Sequence, residues 1–200
     1  MNIGVLASGS GTNLQAIMEA CEKGEIAGRV AVVISDREEA FALKRAAKKG
    51  IPAHFLNPKG YKDREAYDGA AVALLREYRV EVVALAGFMR LVSPYFVRMY
   101  PNKIMNIHPA LLPAFPGTHG VEDALAYGVK VSGCTVHFVD EGLDTGPIIL
   151  QAAVEVKDDD TAESLHQRIH KEEYRLYPRA LDLFARGKIQ LEGRRCIIHE

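Results

Sequence analysis

No apolar stretch of the sequence reaches membrane-spanning length, and no basic segment followed by a long apolar run opens it, so neither a spanning helix nor a secretory leader is expected. Met1-Asn2-Ile3 leads straight into a strand-like segment. Cysteine is scarce. Its three positions, Cys21, Cys134 and Cys196, lie far apart without Cys-x-x-Cys spacing, which argues against a disulfide framework or a zinc knuckle. A reducing cytoplasm is the expected setting. An excess of one charge is missing too: 25 basic and 26 acidic side chains leave a formal net charge of -1, without the basic surplus that nucleic-acid binding normally requires. Repeats, low-complexity tracts and linker-like segments are absent. What is present suits a packed core. Hydrophobic residues make up 48% and charged residues 26% of 200 positions, the composition of one ordered domain of ordinary size.

Short apolar runs alternate with longer segments of helical period. Residues 3–7, 30–35, 52–55, 80–86 and 103–107 read as strands, and 80–86 is nearly continuous in apolar residues, as a central parallel strand should be. Between them, residues 14–21, 40–49 and 63–78 read as helices, with a short helical turn at 94–100. Gly50 suits the end of the second helix. This rhythm predicts a doubly wound, mostly parallel sheet of Rossmann-like type up to about residue 108. Residues 131–139 and 147–156 then form a hairpin-like, mixed continuation around an acidic, glycine-rich loop, and 161–184 reads as a long C-terminal helix containing Pro178. One domain over 1–200 is expected, a nucleotide-binding-like half at 1–108 and a second half at 109–200.

Ser8-Gly9-Ser10-Gly11-Thr12-Asn13 falls between the first strand and first helix. Unpaired N–H groups at a helix start, and glycines that admit close approach, suit a phosphate. The loop lacks the Gly-Lys-Ser/Thr ending of an ATPase, and Leu14 replaces the third glycine of the dinucleotide fingerprint, although Asp36 sits where a ribose-binding acid would. A tight turn with Thr12 or Asn13 as helix cap is an equal alternative.

Asn106 and His108 lie two residues apart at the end of a strand, so both leave one face and Ile107 the other. Strand carboxyl ends are where open parallel sheets bind ligands, and an amide beside an imidazole there can stabilise an oxyanion. If the loop 140–146 folds over that edge, Asp144 meets His108, and a carboxylate would raise the pKa of the imidazole.

With Ala86-Gly87-Phe88-Met89-Arg90, Asn106–Gly117, Val136–Val139 and Leu143-Asp144-x-Gly146-Pro147 added to the first loop, the chain resembles the phosphoribosylglycinamide formyltransferase family over nearly its whole length. The resemblance implies transfer of a formyl group from 10-formyltetrahydrofolate to the amine of glycinamide ribonucleotide, both small molecules, with no metal required. It implies that Asn106, His108 and Asp144 are catalytic, and that Gly11, Thr12, Asn13, His170 and Glu173 hold the substrate. Folate contacts would come from Arg64, Met89, Arg90, Leu91 and Val92, together with Asp140, Glu141, Gly142 and Leu143. Glu173 lies on the apolar Leu165, Ile169, Leu176, Ala180 stripe, where a carboxylate needs a partner; the family's substrate would supply one. Thr12, Ala110 and His170 depart from the commonest family pattern, and His170 leaves its contact open. His119 and His137 are candidates for lining the site, with a structural role expected of His137; His54, His166 and His199 carry no signal. Oligomeric state stays open between monomer and homodimer.

Three alternatives stand beside this reading. A methionyl-tRNA formyltransferase would bring a further C-terminal domain and tends to have Arg-Gly where Pro116-Gly117 stands. A formyltetrahydrofolate hydrolase would use water as acceptor. A non-catalytic nucleotide-binding module would explain the glycine loop but not Asn106, His108 and Asp144.

Overall fold

The first five strands of the sheet are β1 (Asn2–Leu6), β2 (Arg29–Ser35), β3 (Ala53–Phe55), β4 (Val82–Leu85) and β5 (Ile104–His108). The helices between them are α1 (Thr12–Glu22), α2 (Phe41–Lys48), α3 (Arg64–Glu77) and α4 (Pro94–Met99). Then follow α5 (Gly120–Tyr127), β6 (Val131–Phe138), β7 (Ile148–Glu155), the long α6 (Ala162–Ala185) and a hairpin of β8 (Ile189–Glu192) and β9 (Arg195–Ile198). This computed structural model describes residues 1–199; Glu200, the last position of the expected domain range, lies outside the described residues.

The main sheet has the order β3-β2-β1-β4-β5-β6-β7. Pairs among the first five strands are parallel, whereas β6 runs antiparallel to β5 and β7 antiparallel to β6. The expected mostly parallel sheet with a mixed continuation is therefore the observed one. Strands leave β1 in both directions, so the crevice where the order reverses opens between the loops that follow β1 and β4.

Side-chain alternation divides the core. Ile3, Val5, Val82, Ala84, Met105 and Ile107 pack with Leu14, Ile17 and Met18 of α1 and Leu165, Ile169 and Leu176 of α6. Leu6, Val83, Leu85 and Ile104 face the other way, onto Ala71, Val72 and Leu75 of α3 and Phe96 of α4. Asn106 and His108 continue the second set along β5, as a period of two requires. Helix ends are marked chemically: Asp63 caps α3, Ser93 caps α4 ahead of Pro94, and Thr161 with Ser164 forms a capping box on α6. The α6 helix is also pinned to the sheet. The buried Tyr177 hydroxyl shares its proton between the carbonyls of Leu85 at 3.1 Å and Met105 at 2.8 Å, the latter next to Asn106.

The β8–β9 hairpin was not anticipated. Its strands are four residues each, with Ile189, Leu191, Cys196 and Ile198 half-buried against the core, a pattern too short to stand out. No helix among the described residues is long and apolar enough to cross a membrane.

Replacing Tyr177 with Phe leaves two buried carbonyls without their shared donor. Both carbonyls keep their ladder bonds between β4 and β5, so the expected cost is about 0.5–1.5 kcal/mol of unfolding free energy by urea titration, the net worth of one hydrogen bond; an unchanged midpoint would show that the hydroxyl pins nothing.

Candidate active site

One cleft of about 720 Å³ opens at the carboxyl edge of the sheet. Its walls include Gly11, Thr12 and Asn13 at one end, Met89 to Val92 and Asp140 to Leu143 at another, and Asn106, His108 and Asp144 between them. Arg64, His170 and Glu173 also line it, so every residue to which the resemblance gives a catalytic or binding role faces this one space, whereas Asp36 and His119 are not among its lining residues.

Asp144 is the hub of the centre. One carboxylate oxygen accepts from the Gly117 N–H at 2.8 Å and lies 3.6 Å from His108 Nδ1; the other lies 3.6 Å from His137 Nε2. His108 Nε2 donates to the Phe115 carbonyl at 2.7 Å, which commits that nitrogen. Nδ1 is thus the nitrogen left for a ligand, because 3.6 Å to Asp144 is a charge contact rather than a hydrogen bond. Both residues that hold the ring adopt left-handed backbone conformations rare outside glycine, Phe115 at φ 53° and Asp144 at φ 53°. Gly120 matters here for space: a Cβ on it would come within 3.2 Å of His108 Nε2.

The expected rise in the pKa of His108 is corrected by the structure. Asp144 and the Phe115 carbonyl do push it up, but burial of the ring is the larger influence and His137 adds to it, so the net shift is downward from 6.5. The imidazole is only 3% exposed, and removing water from a cation outweighs a carboxylate at 3.6 Å. For Asp144 the balance is reversed. Burial raises its pKa, yet the His137 ring, the Gly117 amide and the His108 ring together hold it below the ordinary value.

His137 belongs to this centre as well as to the strand. It pairs directly with Asn106 across β5 and β6, so the two side chains share a face. Its Nδ1 donates to the Phe138 carbonyl at 2.8 Å, and its Nε2 lies 3.3 Å from Asn106 Nδ2. That contact orients the carboxamide, whose second N–H stays free. His119 stands at the N-cap of α5 and is exposed. His166 does line the cleft, its ring centroid 4.1 Å from that of His170.

At the glycine loop, Gly11 is the N-cap of α1 at φ 70°, and no side chain caps the helix. Thr12 and Asn13 instead fall inside it, so the first N–H groups of α1 remain open donors at the cleft wall. Asn13 Nδ2 donates to Glu173 at 2.8 Å, while Asn13 Oδ1 is buried without a partner. The partner that Glu173 needs is therefore already within the chain. Burial still raises its pKa, against the opposing Asn13 contact, and His170 lies 3.8 Å from its carboxylate.

The 87–92 segment is tied from below. Ser8 Oγ accepts from the Met89 N–H at 2.9 Å and donates to Asp36 at 2.6 Å, which spends the acid expected to read a ribose on a brace. Arg90 lies over the Tyr67 ring at 4.7 Å, and the buried Asp68 accepts from the Ser93 N–H at 2.5 Å. Burial is also what raises the pKa of Asp68. Met89, Leu91 and Leu143 present exposed apolar surface to the cleft, fit for a flat, largely apolar ligand.

The fold and this centre define a formyl transferase, and the chain belongs to that family: the formyl transferase model matches residues 1–181. Its relatives are more particular. It is 44% identical over 191 residues to phosphoribosylglycinamide formyltransferase of Escherichia coli, covering 96% of this chain and 90% of that protein. Over 200 residues it is 44% identical to the bovine trifunctional purine biosynthetic protein adenosine-3, covering 99% of this chain but 20% of that protein, so it spans about a fifth of that relative's length. Among solved structures it is similar to glycinamide ribonucleotide transformylase 1 from Symbiobacterium toebii, with TM-score 0.99, 55% identity, and 100% of this chain and 94% of that one covered.

The buried Glu173 yields a pH-dependent prediction. Its folded pKa lies above the unfolded value, so stability is lost as pH rises from about 4.5 through the folded pKa. Glu173→Gln keeps an acceptor for Asn13 and removes the charge. Its melting temperature should gain on the parent as pH rises through that window; a gap independent of pH would contradict a strained carboxylate.

Proposed function

We propose that the chain transfers the formyl group of 10-formyltetrahydrofolate to the amine of 5-phosphoribosylglycinamide, forming formylglycinamide ribonucleotide and tetrahydrofolate in purine synthesis. The observation that supports this reading most is the convergence of Asn106, His108 and Asp144 on one cleft, between an open helix start and an apolar wall. The open N–H groups of α1 at Gly11, Thr12 and Asn13 would receive the phosphate, with His170 and Glu173 on the sugar side. Met89, Leu91, Val92 and the 140–143 loop would sandwich the pterin, and Arg64 and Arg90 would meet the carboxylates of the folate tail.

In the reaction the amine nitrogen attacks the formyl carbon, and the carbonyl π electrons move onto oxygen. Asn106 offers its free N–H to that oxygen, and His108 in its protonated form offers Nδ1–H. The imidazolium suffers from burial, so the new negative charge favours it when the transition state forms, more than in the ground state. Collapse of the tetrahedral intermediate reforms the carbonyl and breaks the bond to the folate nitrogen. The proton lost by the amine passes to that nitrogen through the His108–Asp144 pair or a water.

Two outcomes test this. Tetrahydrofolate should appear only when glycinamide ribonucleotide is supplied; release without the amine would make the chain a hydrolase, and transfer only to charged initiator tRNA would favour the tRNA-directed relative. Asn106→Ala should lower turnover by about 10²–10³-fold, and a variant with near-normal turnover would remove Asn106 from the oxyanion site.

A further inference from the structure

The β8–β9 hairpin lies beyond residues 1–181, the part matched by the family pattern, and the reaction proposed above gives it no task. Its turn nevertheless reaches the loop that carries Asp144. Arg194 donates from its guanidinium to the Thr145 carbonyl at 2.5 Å, across 49 residues of sequence. Thr145 is the residue after Asp144, whose backbone sits in the left-handed region at φ 53°. An L-residue held there needs support from its surroundings.

The loop is fastened on its other sides, which isolates what Arg194 adds. Asp140 accepts from the Gly142 N–H at 3.0 Å and from the Thr145 hydroxyl at 2.6 Å, closing the loop on itself. Gly146 is packed so tightly that a Cβ would come within 1.7 Å of the Phe138 carbonyl, which fixes the end of the loop against β6. The tether from α4 is a 3.5 Å ion pair between Arg98 and Glu141, with both side chains more than half exposed, an interaction worth little in water. The Arg194 bond is exposed too, but it is short, charge-assisted and made to the backbone itself, at the residue next to the left-handed Asp144. Its own base is firm: Ile189, Leu191, Cys196 and Ile198 pack against the main core.

We propose that Arg194 is a positioning residue, through which the C-terminal hairpin braces the 140–146 loop and holds the Asp144 carboxylate between His108 and His137. The inference rests on the reading of Asp144 and the folate loop given under the proposed function. Arg194 touches no reacting atom. Its effect should therefore appear in the placement of the loop, in folate binding and in the titration of His108, and not in contacts to glycinamide ribonucleotide.

The full chain carrying Arg194→Ala tests this, with Arg194→Lys as the conservative variant. Arg194 is exposed, so its loss should leave the fold intact. The KM for 10-formyltetrahydrofolate should rise and kcat should fall, each by about 3–10-fold, the scale of one hydrogen bond, with the KM for glycinamide ribonucleotide unchanged. The limb on which activity falls with rising pH should move to lower pH, because a displaced Asp144 supports the imidazolium less. Lysine should restore part of each effect. Hydrogen exchange reads the brace without the chemistry: amides of residues 140–146 should lose protection in Arg194→Ala while those of β4 and β5 keep theirs. Unchanged protection in the loop, or a parental folate KM and pH limb, would overturn the proposal. Asp144→Asn is the control that separates the two readings. A limb that stays in place in Asp144→Asn would defeat the role given to that carboxylate, whereas a limb that moves there but not in Arg194→Ala would defeat only the brace.

Discussion

The organisation of the site depends on one carboxylate. Asp144 lies between two buried imidazoles and accepts from a backbone amide, and each neighbour limits the state of the others. With Nε2 of His108 tied to Phe115, only Nδ1 can turn towards a ligand. With His137 tied to the Phe138 carbonyl, its free nitrogen sets the orientation of Asn106. Burial of the His108 ring lowers its pKa, and the Phe115 carbonyl and the Asp144 carboxylate push the other way without overcoming it.

The fold serves this arrangement through the ends of its strands. Asn106 and His108 occupy the last turns of the pleat in β5, and antiparallel pairing with β6 sets His137 directly beside Asn106. The hydroxyl of Tyr177 locks α6 under the same strand ends, and α6 in turn carries Glu173 to Asn13 at the start of α1. The two ends of the cleft are thereby mechanically continuous: Ser8 bridges the glycine loop to Met89 on the opposite wall. Buried polar contacts of this kind are costly if broken and specific when complete.

Much of the architecture was legible because its signals are local. Short apolar runs mark β1 and β2 as strands, the near-continuous run at 80–86 marks β4 as a central parallel one, and the alternation at 106–108 gives a shared face without reference to the rest of the chain. Asp144 required more, since only the family resemblance indicated that its loop folds over the strand ends. His137 was a candidate for lining the site with a structural role expected of it, and its contact with Asn106 could not be read because it depends on the register between two strands. The pKa of His108 was misjudged in direction because proximity to a carboxylate can be read from motifs, whereas burial comes from the whole packed core. Glu173 was flagged as a buried carboxylate by its helical stripe, but Asn13, 160 residues away, could not be assigned as its partner. The hairpin after α6 lacked both a long apolar run and a strong turn signal.

Burial and the Asp144 carboxylate exert opposing influences on His108. Nuclear magnetic resonance titration of its ring nitrogens, in the parent and in Asp144→Asn, measures them directly. The parent ring should titrate below 6.5, and the variant lower still, since burial then acts with less opposition. Equal midpoints in the two proteins, or a higher one in the variant, would contradict the account.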